Sequence, residues 1–300
     1  MIVIRFSLSG KGGDLFTFAA RKSIFNMNYK NILNRVISAL IVLVVLLLES
    51  CDTFEIHPYD GKIVGETNIN AKNIKLIEES TKGQDTLRFA FISDSQRWYD
   101  ELENFVKHIN QDEQIDFIIH GGDIADFGLT KEFLWQRDIL NGLRKPYVVV
   151  IGNHDYLANG DEVFTKVFGD LNFSFIAANT KFLGLNTNAL ETNYSVPIPN
   201  FDFIKKEQVQ NQGEYSNTVV LMHAQPTSEQ FNNNVSDLFQ YSLNQFPNLL
   251  FCAHGHGHNY MTNDIFDDGI IYYQVPNIGK RQYFLFTITN DTYTHELISY

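Results

Sequence analysis

The chain has 300 residues, of which 44% are hydrophobic, 14% aromatic and 19% charged. That balance suits a globular protein with a sizeable core and excludes a disordered or fibrous chain. The formal net charge of −12, more negative still once the first 51 residues are set aside, repels polyanions and argues against broad nucleic-acid binding.

In chain order, a basic stretch opens at Met27-Asn28-Tyr29-Lys30 and ends at Arg35. An apolar run from Val36 to Leu48 follows, and then Leu48-Glu49-Ser50-Cys51. A basic region, a short apolar run and a small residue at the cut describe a secretory signal. The run is short for a transmembrane span. The closing tetrapeptide resembles a bacterial lipobox, in which the cysteine is diacylated and begins the mature protein. Glu49 departs from that pattern, where a small or apolar residue is usual. The other reading is a plain signal peptide or an N-terminal anchor helix, with Cys51 incidental.

Residues 1–50 are therefore expected to be a signal peptide, with residues 1–26 an upstream over-read ahead of a start at Met27. Residues 51–86 are expected to be an extended, lipid-anchored lead, and residues 87–300 one folded domain. A lipidated Cys51 would tie the protein to a membrane of the bacterial cell envelope, facing the periplasm or the exterior. Cys252, the other cysteine, sits in an apolar run and reads as a small buried hydrophobe; if Cys51 is lipidated, no intrachain disulfide is possible and the fold must rest on its core.

Leu87 to Ile92 reads as a buried strand, Tyr99 to Asn110 as an amphipathic helix and Ile115 to Ile119 as a second strand. A helix from about Thr130 to Leu143 and a strand from Pro146 to Ile151 follow. Strands alternating with helices at this spacing predict an α/β fold with a largely parallel first sheet. The second half is richer in strands: a pair within Phe173 to Asn186, then Thr218–Met222, Leu249–Ala253, Ile270–Val275 and Tyr283–Thr289.

Polar clusters stand where the apolar strands end, which is where ligands bind in open α/β sheets. They are Asp94-Ser95-Gln96-Arg97, Gly121-Gly122-Asp123-Ile124-Ala125-Asp126, Gly152-Asn153-His154-Asp155, His223, and His254-Gly255-His256-Gly257-His258. A single such cluster is weak evidence, because a lone histidine at a strand end is usually structural. Five in succession, three of them beside glycines that permit close backbone approach, point to one shared site.

The order of these clusters resembles that of the calcineurin-like metallophosphoesterase superfamily: D-x-H, GD-x-x-D, GNH-D/E, a lone histidine, then GH-x-H. The resemblance spans about residues 87–260. It implies an α/β/β/α sandwich of two mixed sheets flanked by helices, and two divalent ions, Mn, Fe or Zn. It further implies that Asp94, Gln96, Asp123 and His258 hold the first ion, and that Asp123, Asn153, His223 and His256 hold the second. His154 would contact the phosphoryl group or protonate the leaving oxygen. The implied reaction is hydrolysis of a phosphate mono- or diester of a small molecule, by a metal-bridging hydroxide attacking in line at phosphorus.

Mixed oxygen and imidazole donors suit Mn²⁺, Fe or Zn²⁺ better than Ca²⁺ or Mg²⁺. Gln96 departs from the pattern, which usually has histidine there, and an amide oxygen is a weaker donor. The alternative reading is therefore a non-catalytic metal-binding envelope lipoprotein that retains the fold. His120 and His254 read as core or supporting residues, Asp126 as a loop brace, and Asp155 as a residue that orients His154 or caps the next segment. Arg97 is either solvent-facing or a phosphate clamp. A metallo-β-lactamase-like hydrolase is rejected by order, because its H-x-H comes early and is followed by D-H, whereas here the pair is last.

Overall fold

The computed structural model describes residues 29–44 and 61–300. The lipobox-like Leu48–Cys51 and residues 1–26 lie outside the described residues. The chain divides into two units, Met1–Ile56 and His57–Tyr300. In the first, residues 29–44 form helix α1, exposed on all sides. No helix among the described residues is long and apolar enough to cross a membrane.

The second unit has four layers. One sheet has the order β11-β10-β1-β2-β3, built from β1 (Thr86–Ile92), β2 (Phe117–His120), β3 (Tyr147–Val149), β10 (Gln282–Thr289) and β11 (Thr292–Ser299). The other has the order β4-β5-β6-β7-β9-β8, from β4 (Phe173–Ala177), β5 (Thr180–Leu185), β6 (Asn217–Met222), β7 (Leu249–His254), β8 (Met261–Asn263) and β9 (Ile271–Gln274). Pairings β1–β2 and β2–β3 are parallel, as are β5–β6, β6–β7 and β7–β9. The outer hairpins β10–β11, β4–β5 and β8–β9 are antiparallel, so both sheets are mixed.

Aromatic side chains fill the space between the sheets. Phe89 stacks on Phe117 at 5.2 Å between ring centroids, Phe251 on Phe286 at 4.4 Å and Phe175 on Phe182 at 4.9 Å. Alternation along each strand sends these rings inward, while intervening residues such as Ala90, Ile92 and Ile118 face the helices. Helices α3 (Tyr99–Ile109), α4 (Thr130–Leu140) and α5 (Gly160–Val167) contribute to the first outer apolar layer. Helices α6 (Phe201–Val209) and α7 (Ser236–Leu243) contribute to the second, over Leu183, Val220 and Cys252.

The α/β/β/α sandwich is thus as expected, but the lead over residues 51–86 is not extended throughout. Helix α2 (Ile69–Ser80) lies within it, with Ile69, Asn70 and Ile77 buried. Its role is to close the edge of β3. The Asn70 amide donates to Val149 O at 2.8 Å and accepts from Val149 N at 2.9 Å, and Asn73 Nδ2 donates to Tyr147 O at 2.7 Å. A side-chain amide offers the same donor and acceptor pair as a neighbouring strand, so the edge is satisfied without one. The period of α2 was obscured because polar Asn70 and Asn73 take inward positions that a helix usually gives to apolar residues.

Replacing Asn70 by alanine would leave a buried N–H and C=O of β3 without partners. Asn70→Ala should lower unfolding stability by about 2–4 kcal/mol, whereas Glu79→Ala on the exposed side of α2 should change little. Urea denaturation of the two variants would check both.

Candidate metal centre

Five loops converge at the C-terminal ends of β1, β2, β3, β6 and β7. Parallel strands must present those ends on one side, and backbone bonds then sew the loops together. Asp94 N donates to Gly122 O at 3.0 Å, Gln96 N to Asp123 O at 3.1 Å and Gly255 N to His223 O at 3.2 Å. Packing here is too close for side chains at the glycines of these clusters. A Cβ on Gly152 would collide with Asp123, and one on Gly255 would collide with Ser93 and Asp94.

All seven residues predicted to bind metal come together. Asp94 Oδ1 lies 3.2 Å from His258 Nε2, and Asp94 Oδ2 accepts from His256 N at 3.1 Å. Asp123 stands between two groups: its Oδ2 is 3.3 Å from Gln96 Nε2 on one side and 3.3 Å from His223 Nε2 on the other. Asn153 Oδ1 lies 3.1 Å from His223 Nε2 and 3.0 Å from His256 Nδ1. Donor atoms of Asp94, Asp123 and His223 all fall within 4.8 Å of one another. Asp94, Asp123, His256 and His258 each adopt positive φ, between 56° and 67°. Such backbone is costly for residues with side chains and persists where the surroundings over-determine it.

The donor set fits a cation. Buried Asp94 Oδ1 and Gln96 Oε1 have no partner in hydrogen-bonding geometry, although a buried polar atom without one is unfavourable. Electrostatics agree. Burial would push Asp94 up, but the imidazoles of His258 and His223 hold its carboxyl below the usual range. Burial pushes His223 down, yet Asp123 and Asp94 carry it up to about 9. Two buried carboxylates side by side thus draw in positive charge, whether an imidazolium or a metal ion.

His154 stands beside this cluster, with its side chain 34% exposed. Its backbone N donates to Asp123 Oδ1 at 2.9 Å, and its Nδ1 lies 2.9 Å from Asp126 O. A carbonyl only accepts, so Nδ1 carries the proton and Nε2 is left free.

Asp155, expected to orient His154 or to cap the following segment, instead ties two loops together. It accepts from Asp123 N at 3.0 Å, Ala125 N at 2.7 Å and Gly152 N at 2.9 Å, which holds the second and third clusters in register. Burial and the charge of Asp123 push its carboxyl up to about 7, with the N–H groups of Ala125 and Gly152 acting in the opposite direction. Arg97 pairs with Asp126, which makes Asp126 the brace expected of it.

His120 is a satisfied core residue, as expected, 2.8 Å from Ser95 Oγ and accepting from Gly122 N at 3.2 Å. His254 is fully buried at the end of β7. Two contributors were missed. Gln136 of α4 accepts from Ser95 Oγ at 2.9 Å and donates to Ser95 O at 2.7 Å, and Glu229 lies 2.9 Å from His256 Nε2. Neither stands in a motif or at a strand end, so nothing in the sequence singled them out.

The calcineurin-like phosphoesterase family pattern matches residues 87–260, more than half of the chain, and the chain belongs to that family. Among curated proteins none matches the sequence. The fold is similar to that of GAP50, the anchor in the inner membrane complex of Plasmodium, with a TM-score of 0.55. That likeness has 13% identity and covers 72% of this chain and 85% of that one. The purple acid phosphatase PPD1 from yellow lupin seeds is also similar, with a TM-score of 0.56 and 13% identity over 73% of this chain. The match covers 52% of the lupin protein, so this chain spans about half its length.

Burial pushes His120 down to about 4 and His254 down to about 3. Each is neutral in the fold and takes up its proton only on unfolding, so stability should fall as pH drops below about 6.5 towards 4. The slope should reach about 1.4 kcal/mol per pH unit for each imidazole. In chelator-treated protein, His120→Gln should lessen that slope by about one proton, measured by urea denaturation across the pH range.

Proposed function

We propose that the protein is a binuclear metallophosphoesterase that hydrolyses mono- or diesters of a small phosphorylated molecule. The convergence of seven donor residues, Asp123 among them, with Gln96 Oε1 buried without a hydrogen-bond partner and buried Asp94 Oδ1 faced by the His258 ring, carries this reading. Asp94, Gln96, Asp123 and His258 would hold one divalent ion, and Asp123, Asn153, His223 and His256 the other. Such ions, of Mn, Fe or Zn, supply Lewis acidity, activation of water and neutralisation of phosphate charge.

The chain's own residues do the rest. Asp123 is shared between the two groups, with its second oxygen held by the His154 N–H. His154, with Nδ1–H fixed on the Asp126 carbonyl, acts when Nε2 is protonated as well, donating Nε2–H to the phosphoryl oxygens or its proton to the leaving oxygen. The acidic surface favours a small substrate over nucleic acid. The lipobox-like segment ending at Cys51 supports a lipid-anchored protein of the bacterial cell envelope.

Gln96 favours a second reading, a metal-binding lipoprotein without turnover, because an amide oxygen is a weaker donor than imidazole. The two readings separate in one experiment: metal analysis of protein purified without chelator, beside assays with aryl phosphate mono- and diesters. A phosphoesterase should show chelator-sensitive activity restored by Mn²⁺, Fe or Zn²⁺. Chelator-resistant hydrolysis, or none with Mn²⁺, Fe, Ni²⁺ or Zn²⁺, would reject it.

His154→Ala should lower kcat by about 10²–10⁴-fold while leaving the metal content unchanged. Gln96→His should slow loss of one metal equivalent to a competing chelator. Kinetics of both variants alongside metal content would check these outcomes.

A further inference from the structure

Glu229 stands in the loop between β6 and α7, outside every ligand cluster, with its side chain 70% exposed. Its Oε1 nevertheless lies 2.9 Å from His256 Nε2, while His256 Nδ1 lies 3.0 Å from Asn153 Oδ1. The two nitrogens of this ring therefore have different duties. A neutral imidazole offers a lone pair from one nitrogen only, and the other carries the proton. Glu229 and Asn153 Oδ1 are both acceptors, so it is an ion on the side of Asn153 that would take the Nδ1 lone pair, with Glu229 then holding the proton on Nε2.

His223, the other imidazole on that side, is fixed by the reverse arrangement. Its Nδ1 donates to Gly121 O at 2.8 Å, and its Nε2 faces Asn153 Oδ1 at 3.1 Å and Asp123 Oδ2 at 3.3 Å. A backbone carbonyl sets that ring. His256 sits at φ 67° in a loop between two glycines, and its Nε2 faces the Glu229 carboxylate.

We propose that Glu229 is a positioning residue for the second ion: it orients His256, selects the tautomer that presents Nδ1 and strengthens that nitrogen as a donor. An exposed carboxylate is screened by solvent and salt, so its influence runs through the hydrogen bond rather than through its field. Carboxylates placed behind ligating imidazoles contribute about 10–100-fold in metal affinity. The inference rests on the binuclear reading above and goes beyond it, since Glu229 belongs to none of the motifs.

The test is Zn²⁺ binding to the metal-stripped full-length protein, titrated against a competing chelator, for wild type, Glu229→Ala, Glu229→Gln, His256→Ala and the double variant Glu229→Ala/His256→Ala. Wild type should bind two equivalents. Glu229→Ala should lose about 10–100-fold in affinity for one equivalent only, with the thermal midpoint of the metal-free protein unchanged. Glu229→Gln, which keeps an acceptor oxygen for Nε2–H, should recover part of the loss. In the His256→Ala background, removing Glu229 should have no further effect.

Wild-type affinity for both equivalents in Glu229→Ala would overturn the proposal while leaving the binuclear reading intact. So would a loss that persists undiminished in the His256→Ala background. Fewer than two equivalents bound by wild type would overturn the binuclear reading, and the role of Glu229 with it.

Discussion

Everything in the centre is arranged around one buried carboxylate. Asp123 follows β2 at positive φ, accepts from His154 N, and faces Gln96 and His223 with its other oxygen. Asp94 lies close by, and Asp155 grips the Asp123 backbone from behind. Three acids in so small a buried volume repel one another and lose hydration. Imidazoles on one side and backbone N–H groups on the other compensate, and a divalent ion would do so more strongly.

The two sheets make that concentration of charge tolerable. Stacked phenylalanines between them form a rigid platform, and the parallel strands β1, β2, β3, β6 and β7 end on the same side of it. Loops leaving such ends are bonded to one another through backbone N–H and C=O groups. Ser95 extends the brace outward to Gln136 on α4, and Asn70 on α2 seals the edge of β3. Positioning of the site therefore depends on the helical layer as well as on the strands.

Within the centre the histidines divide by what stands behind them. His223 is set by a carbonyl, His256 by the carboxylate of Glu229, and His154 by the carbonyl of Asp126. Each partner accepts only, and so each selects which ring nitrogen is left free. Chemistry at such a site depends as much on these partners as on the rings themselves.

The strand and helix pattern from Leu87 to Ile151 and the five polar clusters were legible because they are local: hydrophobic period sets the elements, and glycine beside Asp, Asn or His marks where backbone must come close. The family resemblance that this order carries implied the seven candidate ligands and the α/β/β/α layering. Other features depended on partners distant in the chain. Asp155 faces N–H groups of Asp123 and Ala125 rather than its neighbour His154, Asn70 reaches Val149, and Glu229 reaches His256. Helix α2 hid behind inward-facing amides, and β11 behind a largely exposed strand at the sheet edge. The sequence by itself determined which residues are the candidates for the chemistry, because residue type and local period are written along the chain. Which nitrogen each histidine offers, and which acid supports which loop, only the tertiary structure decided, because a hydrogen bond requires its partners to be brought within about 3 Å whatever their separation in sequence.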